Sequence, residues 1–241
     1  MKTSLIIPAY NEEKYISKAL TAISEMTLQP DEVIVVDNNS TDKTAAIVKK
    51  FPWVTLISYT EKQGTNAARQ AGFEASTGDI VALLDADCIP HRTWFEDGVR
   101  AVRSKKVAAV TGPYDFFDES LFLRAIMDTA QIVIWWPGHV LLRTLDHPFT
   151  TGGNTFFKRS ALISIGGFDT SITFHGDDVD TGNRLSKVGK VVYAPLLMVR
   201  TSARRFKKLG LLNVTKQYMG PAIAKALNKK ITITPERRHP R

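Results

Sequence analysis

Short apolar runs alternating with amphipathic stretches in the first half of the chain restrict its fold more than any other feature. Residues 4–7, 32–36, 55–58 and 80–84 are brief, rich in Val, Ile and Leu, and bounded by polar segments, which predicts buried strands. Residues 12–25, 42–50 and 65–75 lie between them and carry apolar side chains at helical spacing. The order β-α-β-α-β-α-β predicts an α/β fold with a Rossmann-like, mostly parallel central sheet, helices on both faces and right-handed crossovers.

The second half is less regular. It predicts a helix at 91–103, a strand at 107–111, an apolar stretch from Leu121, a strand at 154–157 and a helix near Ser160. A turn at Gly166-Gly167, a polar helix at 177–187 and a strand at 190–194 follow. Residues 121–145 are the most apolar region, but Arg124, Asp128, Pro137, His139 and Arg143 keep it short of the roughly 18 apolar residues of a membrane span. No transmembrane helix is expected. Met1-Lys2-Thr3-Ser4 enters the first strand with neither the apolar core nor the cleavage site of a signal peptide, so a cytoplasmic location is expected. The single cysteine, Cys88, excludes an internal disulfide framework and a cysteine-based zinc site, and fits a reducing compartment.

The net charge of +8 is unevenly spread. Residues 200–241 hold twelve Lys or Arg against one acid, Glu236, for a net +11, which leaves −3 for residues 1–199. A segment this basic is drawn to an anionic membrane surface, a phosphorylated substrate or nucleic acid alike, and charge alone does not choose among them. For 235–241 a solvated chain end is the simpler reading; for 200–208 a functional one is preferred.

Sheets of this kind bind ligands beyond the carboxyl ends of their strands. There the sequence is polar: Pro8-Ala9-Tyr10-Asn11-Glu12 follows the first strand, Asp37-Asn38-Asn39-Ser40-Thr41-Asp42 the second and Asp85-Ala86-Asp87 the fourth. Strand alternation points Asp85 and Asp87 the same way, so two carboxylates face one ligand. Mn²⁺ or Mg²⁺ suits one or two carboxylates plus the oxygens of a diphosphate, and would neutralise a departing nucleotide diphosphate. The competing reading is a turn capped by aspartate; D-x-D alone is common, and its place at a strand end favours the metal. Helix capping accounts for residues 40–42. It does not account for Asp37, which faces the same crevice as Asp85 and is placed to accept a hydrogen bond from a base or ribose. For Asn38 the two readings stand level.

Ile6-Ile7-Pro8-Ala9-Tyr10-Asn11-Glu12, Val35-Val36-Asp37-Asn38-Asn39-Ser40-Thr41-Asp42 and Leu84-Asp85-Ala86-Asp87, at their spacing, resemble glycosyltransferase family 2. So do Gly64 to Gly72, with Arg69 in an A-A-R-x-A-G setting, and Gly152-Gly153-Asn154 followed by Ile165-Gly166-Gly167-Phe168-Asp169. The resemblance spans residues 3–200. It implies a GT-A type fold, a nucleotide-sugar donor with a UDP-sugar favoured, and inverting, metal-dependent transfer to a hydroxyl. By it Pro8, Tyr10 and Glu12 line the nucleotide pocket, Asp37 contacts base or ribose, and Arg69 reaches the base or diphosphate. Asp87 and Asp85 hold the metal and donor, and Arg204 or Arg205 holds the leaving diphosphate, a task that suits a guanidinium.

His175-Gly176-Asp177-Asp178-Val179-Asp180 resembles the family's E-D motif, whose aspartate is the catalytic base, and Asp178 takes that position. Direct displacement needs such a base on the face opposite the leaving group. Asp177 and Asp180 read equally well as acids favoured at a helix N-terminus. By the resemblance, Gly152, Gly153, Asn154 and Asp177 form the acceptor side. One departure stands out: many members carry two consecutive aspartates where this chain has Asp37-Asn38, and an amide donates as well as accepts.

The expected organisation is a catalytic domain at 1–205, with a donor-binding half at 1–112 and an acceptor-binding half at 113–205, then a basic extension at 206–241. Arg184 is not part of a Q-x-x-R-W motif, so non-processive transfer of single sugars is expected. Trp135-Trp136-Pro137 reads first as core or dimer packing. Combined with the basic tail, it supports a peripheral site on an anionic membrane surface, handling a lipid-linked or cell-surface glycan acceptor. Nucleic acid is not an expected partner, and the oligomeric state is left open. Two rival functions remain. A sugar nucleotidyltransferase would open with a Gly-rich, Arg-containing loop where this chain has Pro8-Ala9-Tyr10-Asn11-Glu12. Against a nucleotide-sugar-binding protein without turnover stands the presence of Asp85, Asp87 and Asp178 together.

Overall fold

The computed structural model describes residues 1–130, 133, 136–144, 148–172 and 176–210. In chain order the strands are β1 (Thr3–Ala9), β2 (Glu32–Asp37), β3 (Val54–Ser58), β4 (Ile80–Leu84), β5 (Ile89–Pro90), β6 (Val107–Thr111), β7 (Tyr114–Phe116), β8 (Asn154–Lys158), β9 (Lys190–Tyr193) and β10 (Val199–Thr201). The helices are α1 (Ile16–Ser24), α2 (Thr44–Val48), α3 (Thr65–Ala75), α4 (Trp94–Val102), α5 (Leu121–Ala130), α6 (Trp136–Thr144), α7 (Arg159–Ser164), α8 (Asp177–Ser186) and α9 (Arg204–Leu209).

The main sheet has the order β3-β2-β1-β4-β8-β6-β9. Strands β3, β2, β1 and β4 are mutually parallel, β9 is parallel to β6, and β8 alone runs against both of its neighbours. The sheet is therefore mostly parallel, as the β-α alternation predicts.

Both faces are buried, and strand alternation sorts the side chains between them. Leu5, Ile7, Val33, Val35, Ile80, Ala82, Leu84 and Phe156 meet Ile16, Leu20 and Ile23 of α1 and Trp94, Phe95 and Val99 of α4. Ile6, Ile34, Val36, Val81, Leu83 and Phe157 meet Ala68 and Phe73 of α3 and Leu185 of α8 on the other face. Each fully buried aliphatic side chain contributes about 1.5–3 kcal/mol relative to exposure, so continuous apolar runs are what a doubly covered sheet requires.

Helix α1 starts later than the expected residue 12. The N–H groups of Glu12 and Glu13 donate instead to Thr44 Oγ1 (2.7 Å) and Asp42 Oδ2 (3.1 Å), pinning the loop after β1 to the loop after β2. A small second sheet, β5-β10-β7, was not anticipated. Its strands have two or three residues each, too few to show a period. Helix α9 crosses residue 205, where the catalytic domain was expected to end. His175, Trp135 and the part of the basic extension beyond residue 210 lie outside the described residues. Among the described residues, no helix is long and apolar enough to cross a membrane.

Candidate active site

Strands β1, β2, β4 and β6 end on one rim of the sheet. Because β8 is antiparallel, it begins on that same rim: Leu84 of β4 pairs with Asn154 of β8. The residues just before β8 thus face those just after β4, and Asp85 N–H donates to the Gly153 carbonyl at 3.3 Å. The approach leaves no room for side chains at the glycine pair. A Cβ on Gly153 would sit 2.1 Å from Asp85 Cγ, and one on Gly152 would sit 2.0 Å from Arg69 Nη2 and 2.5 Å from Asp178 Oδ1. Gly152 and Gly153 are glycines because charged groups from three other elements crowd against them.

Arg69 of α3 is the hub of that crowd. Its side chain is 5% exposed, and its guanidinium reaches Asp177 at 2.7 Å, Asp178 at 3.5 Å and Asp85 at 4.0 Å. Burial alone would lower its pKa, but these three carboxylates raise it, so Arg69 is a fixed cation. Unit charges 4 Å apart interact by about 4 kcal/mol at an effective dielectric near 20, too little for one guanidinium to neutralise three acids. The excess falls on Asp178. Burial first, then the charge of Asp177, push its carboxyl up to about 8 against the opposing pull of Arg69. The Arg69 cation joins the two sides of the site, linking Asp85 after β4 to Asp177 and Asp178 at the start of α8.

Helix α8 supplies Asp177 and Asp178 in its first turn, after Gly176 at φ 93°. Its far end is tied down by Arg184, which bonds Asp180 at 2.6 Å and donates to the carbonyls of Ile165 and Gly167. Asp180 is thus a structural partner within α8.

Asp85 and Asp87 project from the end of β4, with side chains 38% and 15% exposed. Cys88 Sγ lies close enough to join them in a three-atom cluster within 4.8 Å. The thiol is a poor candidate ligand: it is fully buried, and burial pushes its pKa well above the ordinary value. That leaves two carboxylates open to the rim, the oxygen-rich donor set that Mn²⁺ or Mg²⁺ accepts beside a diphosphate.

Arg204, in the first turn of α9, closes this side. It pairs with both oxygens of buried Glu12 (2.8 and 2.5 Å), reaches Asp87 at 3.0 Å, and lies 4.9 Å from the centre of the Tyr15 ring. Asp118 positions the start of α9 by accepting from Ala203 N–H (2.6 Å) and the Ser202 hydroxyl (2.8 Å). Burial, with Glu12 and Asp85 nearby, pushes Asp87 up to about 7, while Arg204 and, more weakly, Arg205 draw it down. Arg204 thus bridges Glu12 and Asp87 at the rim.

Pro8 and Tyr10 are partly exposed where β1 ends, and Asp37 ends β2 with one carboxylate oxygen accepting Ser40 N–H at 3.3 Å. Two residues from the sequence reading hold the scaffold instead. Asn38 donates to the carbonyls of Tyr59 and Lys62 and accepts from Gly64 N–H, fixing the loop that leads into α3. Asn154, expected on the acceptor side, is fully buried; it donates to the carbonyls of Pro113 and Leu197 and accepts from the Trp94 indole. Asn154 stands at the rim end of β8, but its side chain turns inward and its amide is consumed inside the fold. Tyr114, absent from the sequence reading, reaches Asp85 and Gly153 from β7. No local signal marks it.

A cavity of about 720 Å³ opens on the opposite rim, lined by Lys105, Lys106, Lys158 and Lys190 around Val107 and Val191. It contains none of the carboxylates described above.

A family model for glycosyl transferase family 2 matches residues 4–166, more than half of the chain. The chain belongs to that family. Among curated relatives of this glycosyltransferase, AglE of Haloferax volcanii is 41% identical over 119 residues, covering 47% of this chain and 39% of the relative. The glucosyl-dolichyl phosphate glucuronosyltransferase of the same organism is 28% identical over 192 residues, covering 73% and 59%. The glycosyltransferase thus spans less than two thirds of either relative. Among solved structures, the mannosyltransferase PcManGT of Pyrobaculum calidifontis, in complex with GDP-mannose and Mn²⁺, superposes with a TM-score of 0.71 at 24% identity, covering 95% of this chain and 64% of that one. Glucosyl-3-phosphoglycerate synthase of Mycobacterium tuberculosis, with Mn²⁺, UDP and phosphoglyceric acid, gives 0.65 at 21%, covering 96% and 80%. These likenesses place the glycosyltransferase in the GT-A fold.

Proposed function

We propose that this glycosyltransferase transfers one sugar at a time, with inversion, from a nucleotide-diphosphate sugar to a hydroxyl acceptor, using a divalent cation. The observation that carries this reading is the meeting of Asp85, at the end of β4, with Asp177 and Asp178, at the start of α8, around Arg69. Asp85 and Asp87 would hold the cation, which, when bound, supplies positive charge to the leaving diphosphate. Arg204, already at Asp87, is placed to contribute further positive charge there. Asp178 would take the proton of the attacking hydroxyl; a carboxyl pushed up to about 8 holds a proton far better than an ordinary one, which suits a base near neutral pH. Pro8, Tyr10 and Asp37 would border the nucleotide, and Gly152 and Gly153 the acceptor.

The solved relatives include one bound to GDP-mannose and one bound to UDP, each with Mn²⁺, so UDP- and GDP-sugars are the first donors to test. In a binding screen with and without Mn²⁺, nucleoside diphosphates and their sugars are expected to bind only when the metal is added. Mn²⁺-dependent turnover of a nucleoside triphosphate with a sugar phosphate, releasing diphosphate, would favour the nucleotidyltransferase reading.

A lipid-linked acceptor at an anionic membrane is the finer part of this proposal. One curated relative is named for action on glucosyl-dolichyl phosphate. Helices α5 and α6 expose Ile126, Trp136, Val140 and Leu141, so Trp136, at 43% exposure, is not core. Residues 200–241 bring the net +11 that an anionic surface would attract. The protein is expected to float with anionic liposomes at low salt and to be released at high salt. Equal absence from anionic and neutral vesicles would reject membrane attachment.

A further inference from the structure

We infer that Tyr114 is a positioning residue for Asp85, and that through it the affinity of the site for a divalent cation is tied to the Gly152-Gly153 wall. The inference rests on the metal-dependent reading above and extends it to a residue outside the family motifs.

Three hydrogen bonds form a closed cycle. Gly153 N–H donates to Tyr114 Oη at 3.0 Å, Tyr114 Oη donates to Asp85 Oδ2 at 3.4 Å, and Asp85 N–H donates to the Gly153 carbonyl at 3.3 Å. The direction around the cycle is set by chemistry. A backbone N–H can only donate and an ionised carboxylate only accept, so the hydroxyl accepts from Gly153 and turns its own proton to Asp85. Bonds aligned in this way polarise one another. Asp85 Oδ1 lies on the other side, 4.0 Å from Arg69, so each carboxylate oxygen faces a different partner.

The ring is held independently of the cycle. Tyr114 lies opposite Val199 in the parallel pairing of β7 with β10, and its centroid is 6.5 Å from that of Phe116. Strand β10 continues through Ser202 into α9 and Arg204, so one small sheet supports both the residue that orients Asp85 and the arginine that meets Asp87. A carboxylate held in place by outer partners loses less freedom when it takes a cation, and losing such a partner typically costs 10–100-fold in metal affinity. The Tyr114 bond is long, which sets the expected effect at the lower end.

The test is titration of Mn²⁺ into the protein with saturating UDP or GDP, following free Mn²⁺ by electron paramagnetic resonance, alongside thermal melting. Tyr114→Phe keeps the ring and removes only the hydroxyl. It is expected to weaken Mn²⁺ binding about tenfold, to leave the melting temperature unchanged, and to raise the Mn²⁺ needed for half-maximal transfer while kcat at saturating Mn²⁺ is retained. Parent-like Mn²⁺ affinity in a folded Tyr114→Phe protein overturns the inference and leaves the metal reading standing. A parent protein that binds no Mn²⁺ with either nucleotide overturns both. Site-specific 3-fluorotyrosine at position 114 supplies a better donor in the same shape, so affinity at or above the parent's is expected, and weaker binding would count against the inference even if the Phe variant failed to fold.

Discussion

Asp178→Asn is expected to slow sugar transfer about a thousandfold, within the range a positioned general base contributes, while nucleotide binding in the presence of Mn²⁺ stays close to the parent's. Asparagine keeps the shape of the side chain beside Gly152 and Arg69 but cannot accept the acceptor's proton. Single-turnover transfer measured beside nucleotide affinity separates the two quantities, and transfer at the parent rate would remove Asp178 from the base role. The same variant carries a stability signature of definite sign. The Asp178 carboxyl is raised from 3.8 to about 8 by burial and by Asp177, so its protonated form suits the fold better than its charged one. That contribution is complete below the unfolded value, declines as pH rises, and is gone above about 8. Asparagine resembles the protonated form at every pH. Asp178→Asn should therefore melt above the parent at pH 9 and converge with it toward pH 4, and a melting difference that is flat across this interval would contradict the assigned environment.

The second large effect is expected at Asp87. Replacement by alanine should weaken Mn²⁺-dependent nucleotide binding about a hundredfold, since a lost charged partner in a largely buried site is worth roughly 3 kcal/mol. The fold should tolerate the change. Arg204 keeps both of its contacts to Glu12, so no cation is stranded, and Asp87 itself, pushed up to about 7, is held at some cost in the parent. Calorimetry with UDP or GDP, with and without Mn²⁺, tests this directly: parent-like affinity in the metal-containing arm would take Asp87 out of the metal site. Asp178→Asn and Asp87→Ala thus predict opposite patterns, one losing turnover with binding kept and the other losing binding.

Much of the first half of the fold was readable from local sequence. The run 80–84, helix 65–75 and strand 107–111 appear in the structure with the bounds their patterns predict, because apolar period and chain length are local properties. Helix α1 was misplaced at its start because the N–H groups of Glu12 and Glu13 are satisfied by side chains 32 and 29 residues away, a pairing no local window contains. Asn38 carried an ambiguous signal for a similar reason: an amide near a rim serves a ligand or the backbone equally well until its partners are known.

The sequence by itself marked the apolar runs, the acids beside them and the family, since each depends on residue type at short spacing, although β1 runs two residues and β2 one residue past the expected end. Tertiary structure alone decided how those acids are used. The antiparallel entry of β8 brings Gly153 against Asp85, and helix packing carries Arg69 to Asp177 across 108 positions of sequence. It also sets Arg204 between Glu12 and Asp87, contacts that local residue pattern does not foretell. Strand direction and helix rotation are fixed by burial over the whole sheet, and that is why a chain whose acidic motifs are legible in one dimension keeps the wiring among them for three.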